Sequence, residues 1–282
     1  MPQKTIELLK AGKTANIDDK FREHNILQLP SEGNILITGD IHGHLRNLER
    51  IISFSDLQNN PGRHVVLQEI IHGGAKDCSG NCISYKTLFK AVRFKLDFPH
   101  NVHFIMGNHD TAFICNNEVM KNGIRMNQSM HQALTDEFAS AAEDVEIAIK
   151  QFLFSQPLAA RTGNGVWMSH SLPNECHLDE FDCSIFQRDI QLCDCKKGGQ
   201  VYLLTWGRRF TEQSVNKLSE KLNCEFFILG HQPQEKGWCR KFDNTIILAS
   251  DHEHGCFMSI DLAQPYSVDI LTEQIRPFSS VQ

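Results

Sequence analysis

Ile35-Leu36-Ile37-Thr38-Gly39-Asp40-Ile41-His42-Gly43-His44 decides how this chain is read. An apolar run passes into a short polar loop, and beyond it Leu45, Leu48, Ile51 and Ile52 recur at helical spacing, so the stretch predicts strand, tight loop and helix. A carboxylate and an imidazole thus sit two residues apart on a strand-end loop. Carboxylate oxygen and neutral imidazole nitrogen both ligate divalent cations, and glycine on either side lets the backbone wrap closely round an ion. Asp-x-His after a strand also serves as an ordinary polar loop, so the rest of the chain has to decide.

Outward from this stretch the pattern alternates. Strands are expected at 34–38, 64–69, 102–106, 165–169, 225–229, 245–249, 256–261 and 268–272, and helices at 44–57, 84–98, 128–154 and 211–222. Alternation of this kind points to an α/β layered fold. Residues 3–24 read as one or two short amphipathic helices packed outside it. The segment 173–199 is the most irregular part of the interior and reads as an insertion over one edge. The expected organisation is an N-terminal helical extension at 1–32, a catalytic domain at 33–273 and a C-terminal tail at 274–282.

Composition narrows the function classes. A chain of 282 residues with 41% hydrophobic and 22% charged residues is ordinary globular material, long enough for one large domain or two small ones. A net charge of -6 argues against a nucleic-acid surface, because phosphate backbones reward clustered Lys and Arg. No apolar run approaches the length of a membrane span, and the first residues carry no export signal, so the expectation is a cytoplasmic protein with no membrane partner. Of the ten cysteines, neither Cys78 with Cys82 nor Cys193 with Cys195 has the two-residue gap of a zinc knuckle, and reduced thiols are the default.

Five expected strands end in residues that bind metals or move protons: Asp40 and His42; Glu69 and His72; Gly107-Asn108-His109-Asp110; His170; Gly230-His231. Strand ends on one side of a layered α/β sheet open into a shared crevice, so these side chains converge despite their distance in sequence. His24, His64, His100, His103, His131 and His177 lie outside the pattern and read as structural or surface residues, and His44 as the start of the helix.

Gly39-Asp40-Ile41-His42-Gly43, Gly107-Asn108-His109-Asp110, Ser169-His170 and Gly230-His231 together resemble the motif blocks of the calcineurin-like metallophosphoesterases, closest to their phosphoprotein phosphatase (serine/threonine phosphatase) branch. The resemblance covers roughly residues 33–262. It implies two mixed β-sheets packed as a sandwich flanked by helices and a dinuclear centre of two divalent or trivalent ions, for which mixed nitrogen and oxygen ligation favours Mn, Fe or Zn. Carried over by position, Asp40 and His42 hold the first metal, Asn108, His170 and His231 the second, Glu69 bridges both, and His109 is the general acid. Two such ions can share a bridging hydroxide and clamp phosphate for in-line attack, and an imidazole beside them can protonate the leaving alkoxide.

The second block departs from the family's Gly-Asp-x-x-Asp-Arg-Gly. Here it reads Gln68-Glu69-Ile70-Ile71-His72-Gly73-Gly74. Glu69 carries one methylene more than the usual bridging Asp, His72 replaces the acid's carboxylate partner, and Gly73 replaces an arginine that grips phosphate. Arg208 and Arg209, after a Trp-containing segment, are the candidates to compensate. Asp251-His252-Glu253-His254 forms a further polar loop in this region. The expected function is a metal-dependent phosphatase acting on a phosphorylated protein or a small phosphoester. Two alternatives are a nucleotide or dinucleoside polyphosphate hydrolase, and a catalytically impaired binding domain motivated by the altered block.

Overall fold

The computed structural model describes residues 2–281; Met1 and Gln282, the outermost residues of the expected N-terminal extension and C-terminal tail, lie outside the described residues. In chain order the elements are α1 (Pro2–Ile17), β1 (Arg22–Glu23), β2 (Ile26–Gln28), β3 (Asn34–Asp40), α2 (Leu45–Ser55), β4 (Arg63–Gln68), α3 (Ser84–Asp97), β5 (Val102–Ile105), α4 (Asn108–Ile114), β6 (Met120–Lys121), β7 (Ile124–Arg125), α5 (Met126–Phe138) and α6 (Ala142–Phe154). They continue with β8 (Ala159–Arg161), β9 (Val166–Ser169), α7 (Gln200–Trp206), α8 (Glu212–Leu222), β10 (Phe226–Leu229), β11 (Trp238–Phe242), β12 (Thr245–Leu248), β13 (Cys256–Asp261), α9 (Val268–Glu273) and β14 (Ile275–Pro277).

Two mixed sheets face each other. One has the order β1-β2-β8-β9-β10-β12-β11 and the other β14-β13-β3-β4-β5, with β6 and β7 forming a separate hairpin. The central strands β3, β4 and β5 run parallel, as do β9, β10 and β12, so both sheets present their strand C-termini at the same edge. Side-chain alternation divides the apolar residues. Ile35, Ile37, Val66 and Ile105 meet Val166, Met168, Ile228 and Ile246 between the sheets. Leu36, Val65, Leu67 and Phe104 turn the other way, into the larger core with the helices. Burying both faces explains why these strands read as continuous apolar runs.

The sheets touch at the edge where the strands end. Asp40 bridges to Ala249, and the Ser250 N–H donates to the Asp40 carbonyl at 3.1 Å. A side chain at residue 39 would place its Cβ 2.1 Å from the Leu248 carbonyl oxygen, so Gly39 is what permits this approach. His44 caps α2 by accepting the Asn47 N–H on Nδ1 at 3.2 Å.

Several elements differ from the sequence expectation. The segment 268–272 is the helix α9, because the Ser267 hydroxyl caps it by accepting the Ile270 N–H and Asp269 lies in its first turn; the pairing strand is β14. The expected helix 128–154 is broken into α5 and α6 at Ala139, whose φ of 49° interrupts the hydrogen-bond ladder without any Gly or Pro to announce it. Between 3 and 24 there is one helix, and β1 and β2 then extend the larger sheet, β2 lying parallel to β8. The segment 173–199 consists of short 3₁₀ turns whose Phe181, Ile185 and Phe186 join the main core. All ten cysteines are free, and among the described residues none belongs to a group arranged to hold a metal. No helix among the described residues is long and apolar enough to cross a membrane.

Candidate metal centre

Each strand end delivers its polar residue through a sharp turn. His42, Glu69, His72 and His231 all adopt positive φ, at 43°, 41°, 66° and 67°. A side chain seldom sits there without cost, and a cluster of such residues marks a loop constellation held for its geometry. Glycines make room: a Cβ on Gly107 would lie 2.5 Å from Glu69 Oε1, and one on Gly230 would lie 2.3 Å from Asp40 Oδ1.

The structure brings Asp40, His42, Glu69, Asn108, His109, His170 and His231 into one buried cluster. His42 Nδ1 donates to the Ile71 carbonyl at 2.9 Å, which fixes the tautomer and leaves the Nε2 lone pair facing Glu69 Oε2 at 3.4 Å and Asp40 Oδ2 at 3.7 Å. On the other side, Asn108 Oδ1, His170 Nε2 and His231 Nδ1 form a triangle with edges of 2.7, 2.9 and 3.1 Å. His170 also reaches both carboxylates, with Nδ1 3.5 Å from Asp40 Oδ1 and Nε2 3.5 Å from Glu69 Oε2. Both Asp40 oxygens accept the His231 N–H, at 2.9 and 3.1 Å.

Glu69 occupies the middle. Its Oε1 accepts the His109 N–H at 2.5 Å. Its Oε2 is buried without a hydrogen-bond partner, between His42 on one side and His170 on the other. His170 Nδ1 and His231 Nε2 are orphaned too. Buried polar atoms are nearly always satisfied, and an orphaned carboxylate oxygen among imidazole lone pairs is the arrangement that cations complete. The donor set of carboxylate, imidazole and amide oxygen suits Mn, Fe or Zn.

The electrostatics agree. Burial pushes Asp40 up to about 6, with Asp251 adding to the rise. Burial and the nearby Asp40 and Asp110 push Glu69 well above the usual carboxylate range. Burial holds His42 and His231 well below the ordinary histidine value and His170 at about 3. Carboxylates pushed up beside imidazoles pushed down are what burial does to both kinds of group, and it leaves the imidazoles as neutral donors.

His109 lies against this cluster, its ring 4.7 Å from that of His42, and its Nδ1 is 3.1 Å from His72 Nδ1. His72 is thus the side chain that the His109 ring meets at this nitrogen. Burial, then His42 and His72, holds His109 well below the usual range. Arg208 and Arg209 are both exposed, and both backbone N–H groups donate to Asn174 Oδ1 at 2.8 Å. The two differ in reach, since the Arg208 charge bears on His170 and His231. In the 251–255 loop, Asp251 faces the site, while His252 is tied to the Gln234 carbonyl at 2.9 Å.

One residue of this region escaped the sequence reading. Lys121 sits on the β6–β7 hairpin, closed by Asn122 and Gly123, both at positive φ, and its Nζ lies 3.4 Å from Asp251 Oδ2. The Asn-Gly pair between short strands was the signal available for it.

Strand ends of a layered sandwich here bring carboxylate, imidazole and amide groups together where they could hold a metal ion. The family model described as calcineurin-like phosphoesterase matches residues 33–235, and the chain belongs to that family. Its fold is similar to that of a protein serine/threonine phosphatase from Saccharomyces cerevisiae with similarity to human phosphatase PP5, with a TM-score of 0.70 at 13% identity over 93% of this chain and 83% of that one. It is also similar to the cold-active protein-tyrosine phosphatase of a psychrophilic Shewanella species, with a TM-score of 0.59 at 16% identity over 84% of this chain and 77% of that one. The family implies divalent metal ions in the catalytic site and a phosphorylated substrate.

Proposed function

We propose that this chain is a phosphomonoesterase with two transition-metal ions, acting on a phosphorylated protein side chain or a small phosphate ester. Asp40 and His42 would hold one ion, Asn108, His170 and His231 the other, and Glu69 would offer its carboxylate to both. The observation that carries this reading is the unpartnered Glu69 Oε2, buried between His42 and His170. Bound there, such ions polarise a phosphoryl group and acidify water.

The chain's own residues do the rest. Gly39 and Gly230 let the backbones close around Asp40, which its bonds from the His231 N–H hold in place. Glu69 reaches the centre despite its extra methylene because its backbone turns at positive φ and Gly107 offers no Cβ to block the carboxylate. His72 engages His109 at Nδ1 and leaves Nε2 open towards the leaving oxygen, so His109 acts as the acid in the fraction of molecules that carry its ring protonated, a fraction that burial keeps small. Of the two arginines, Arg208 is the candidate to meet the incoming phosphate, because its charge reaches His170 and His231.

The test is hydrolysis of p-nitrophenyl phosphate with added manganese, expected for wild type. His109→Ala keeps its metal and turns over about 100-fold more slowly, as loss of a general acid does. No hydrolysis by wild type with Mn, Fe, Zn or Co would overturn the reading, and an unchanged rate in His109→Ala would remove that residue's role.

A further inference from the structure

The second block lacks a cation, and the structure closes the position to one. A Cβ on Gly73 would lie 2.4 Å from the His42 carbonyl oxygen and 3.0 Å from the His42 Cβ. Gly43 and Gly74 are packed backbone to backbone in the same turn, where a Cβ on Gly74 would lie 2.0 Å from the Gly43 carbonyl oxygen. No side chain fits at 73 without moving the loop that carries His42. A dianionic phosphate ester brought to this end of the site must find its charge partner on another element.

Lys121 is placed to be that partner. A groove of about 280 Å³ runs beside the metal cluster, and its lining includes His42, Gly73, Lys121 and Asp251. Lys121 therefore shares one groove with the residue whose side chain is missing. The ammonium is parked 3.4 Å from Asp251, the neighbour of Ser250, whose N–H bonds the Asp40 carbonyl. The lysine side chain is 28% exposed, so it is neither locked in the core nor free in solvent. Its charge bears on Asp40, His42, Glu69, His72 and His109, a reach that covers the first half of the cluster. Arg208 bears instead on His170 and His231, so the two cations act on different members of the cluster. The two-residue turn of the hairpin sets Lys121 opposite Ile124 and fixes which residue reaches the groove.

We propose that Lys121, delivered by the β6–β7 hairpin, grips the substrate phosphate in place of the arginine that position 73 cannot carry. It exchanges its Asp251 partner for a phosphate oxygen when substrate enters. A lysine makes this contact as a point charge and not as a planar fork, so it accepts a wider range of phosphate orientations. The proposal rests on the reading of the site as a phosphatase centre.

The experiment compares wild type, Lys121→Met, Lys121→Arg and, as a control for net charge, Lys86→Met, whose lysine pairs with Glu137 on the outer surface. Binding of inorganic phosphate to each manganese-loaded protein is measured by titration calorimetry, beside metal content and the KM for p-nitrophenyl phosphate. Lys121→Met is expected to bind phosphate about tenfold or more weakly and to raise KM, since a hydrogen bond to a charged group is worth that much. Its metal content and melting temperature stay at wild-type values. Lys121→Arg recovers binding and Lys86→Met matches wild type. If wild type binds and hydrolyses phosphate esters and Lys121→Met is indistinguishable from it, Lys121 has no such role and the phosphatase reading stands. If wild type neither binds phosphate nor hydrolyses esters, the phosphatase reading falls and the proposal with it.

Discussion

Near the start of β4 and β5, His64 and His103 share a buried chain of contacts with Asp19 and Lys95; at the far end of the same strands, Glu69 and His109 sit in a cluster with Asp40, His42 and His170. The ingredients are alike and the bookkeeping is opposite. In the first group, Lys95 Nζ donates to Asp19 Oδ2 at 2.6 Å and to the Pro99 carbonyl at 2.7 Å, His103 Nδ1 meets the same carboxylate at 2.9 Å, and His64 Nδ1 is 3.1 Å from His103 Nε2. No side-chain atom of that group is left buried and unpartnered among the described residues. His103 and Lys95 pull Asp19 below its ordinary range against the opposing effect of burial. In the second group Asp40 and Glu69 are pushed up, and atoms of Glu69, His170 and His231 remain orphaned. A buried ionic cluster that satisfies itself fastens the fold, here tying the turn after α1 to α3 and β5. One that leaves donor atoms unpartnered is the better candidate for a ligand, and that difference distinguishes the two groups more sharply than residue type does.

Substitutions should therefore act differently at the two ends. Asp40→Asn is expected to lose bound metal and more than about 1000-fold in kcat, the several kcal/mol that a metal supplies to charge stabilisation. Metal analysis and steady-state kinetics check this, and retention of both would erase the contrast. Asp19→Ala should leave metal content intact while lowering stability by about 3 to 5 kcal/mol, because it strands the Lys95 ammonium in the core. Urea unfolding reads that loss, and a shift below about 1 kcal/mol would mean that the network carries little.

A smaller effect concerns pH. Burial, helped by the neighbouring His103, depresses His64 from 6.5 to about 3. Its folded value lies below its unfolded one, so the unfolded chain binds the extra proton in between. The stability this group contributes is present above pH 6.5 and is lost as pH falls towards 3. His64→Gln, which removes the titration while keeping a polar group, should flatten the stability profile within that window relative to wild type. A parallel profile in both proteins would show that His64 does not titrate as its burial implies.

The convergence of the cluster was legible because its polar residues stand at strand ends, printed in the sequence as Asp40-Ile41-His42, Asn108-His109, His170 and His231. The layered fold was legible because strands buried on both faces keep an apolar run whatever the loops do. What the sequence hid was decided by local geometry. A serine cap turned 268–272 into a helix, and a positive φ at Ala139 divided an uninterrupted helical pattern. Lys121 was hidden because it arrives from a hairpin of two-residue strands, too short to show any alternation. Gly73 read as a simple loss, and only the 2.4 Å approach to the His42 carbonyl reveals a position closed to side chains.

The central claim is that the incomplete cluster at the strand C-termini is a centre for two ions. Elemental analysis of the purified wild-type chain beside His231→Ala tests it most directly. Wild type should hold close to two transition-metal ions per chain and the variant clearly fewer. A wild-type chain that takes up no metal from Mn, Fe, Zn or Co, or a His231→Ala chain with the full complement, would contradict it.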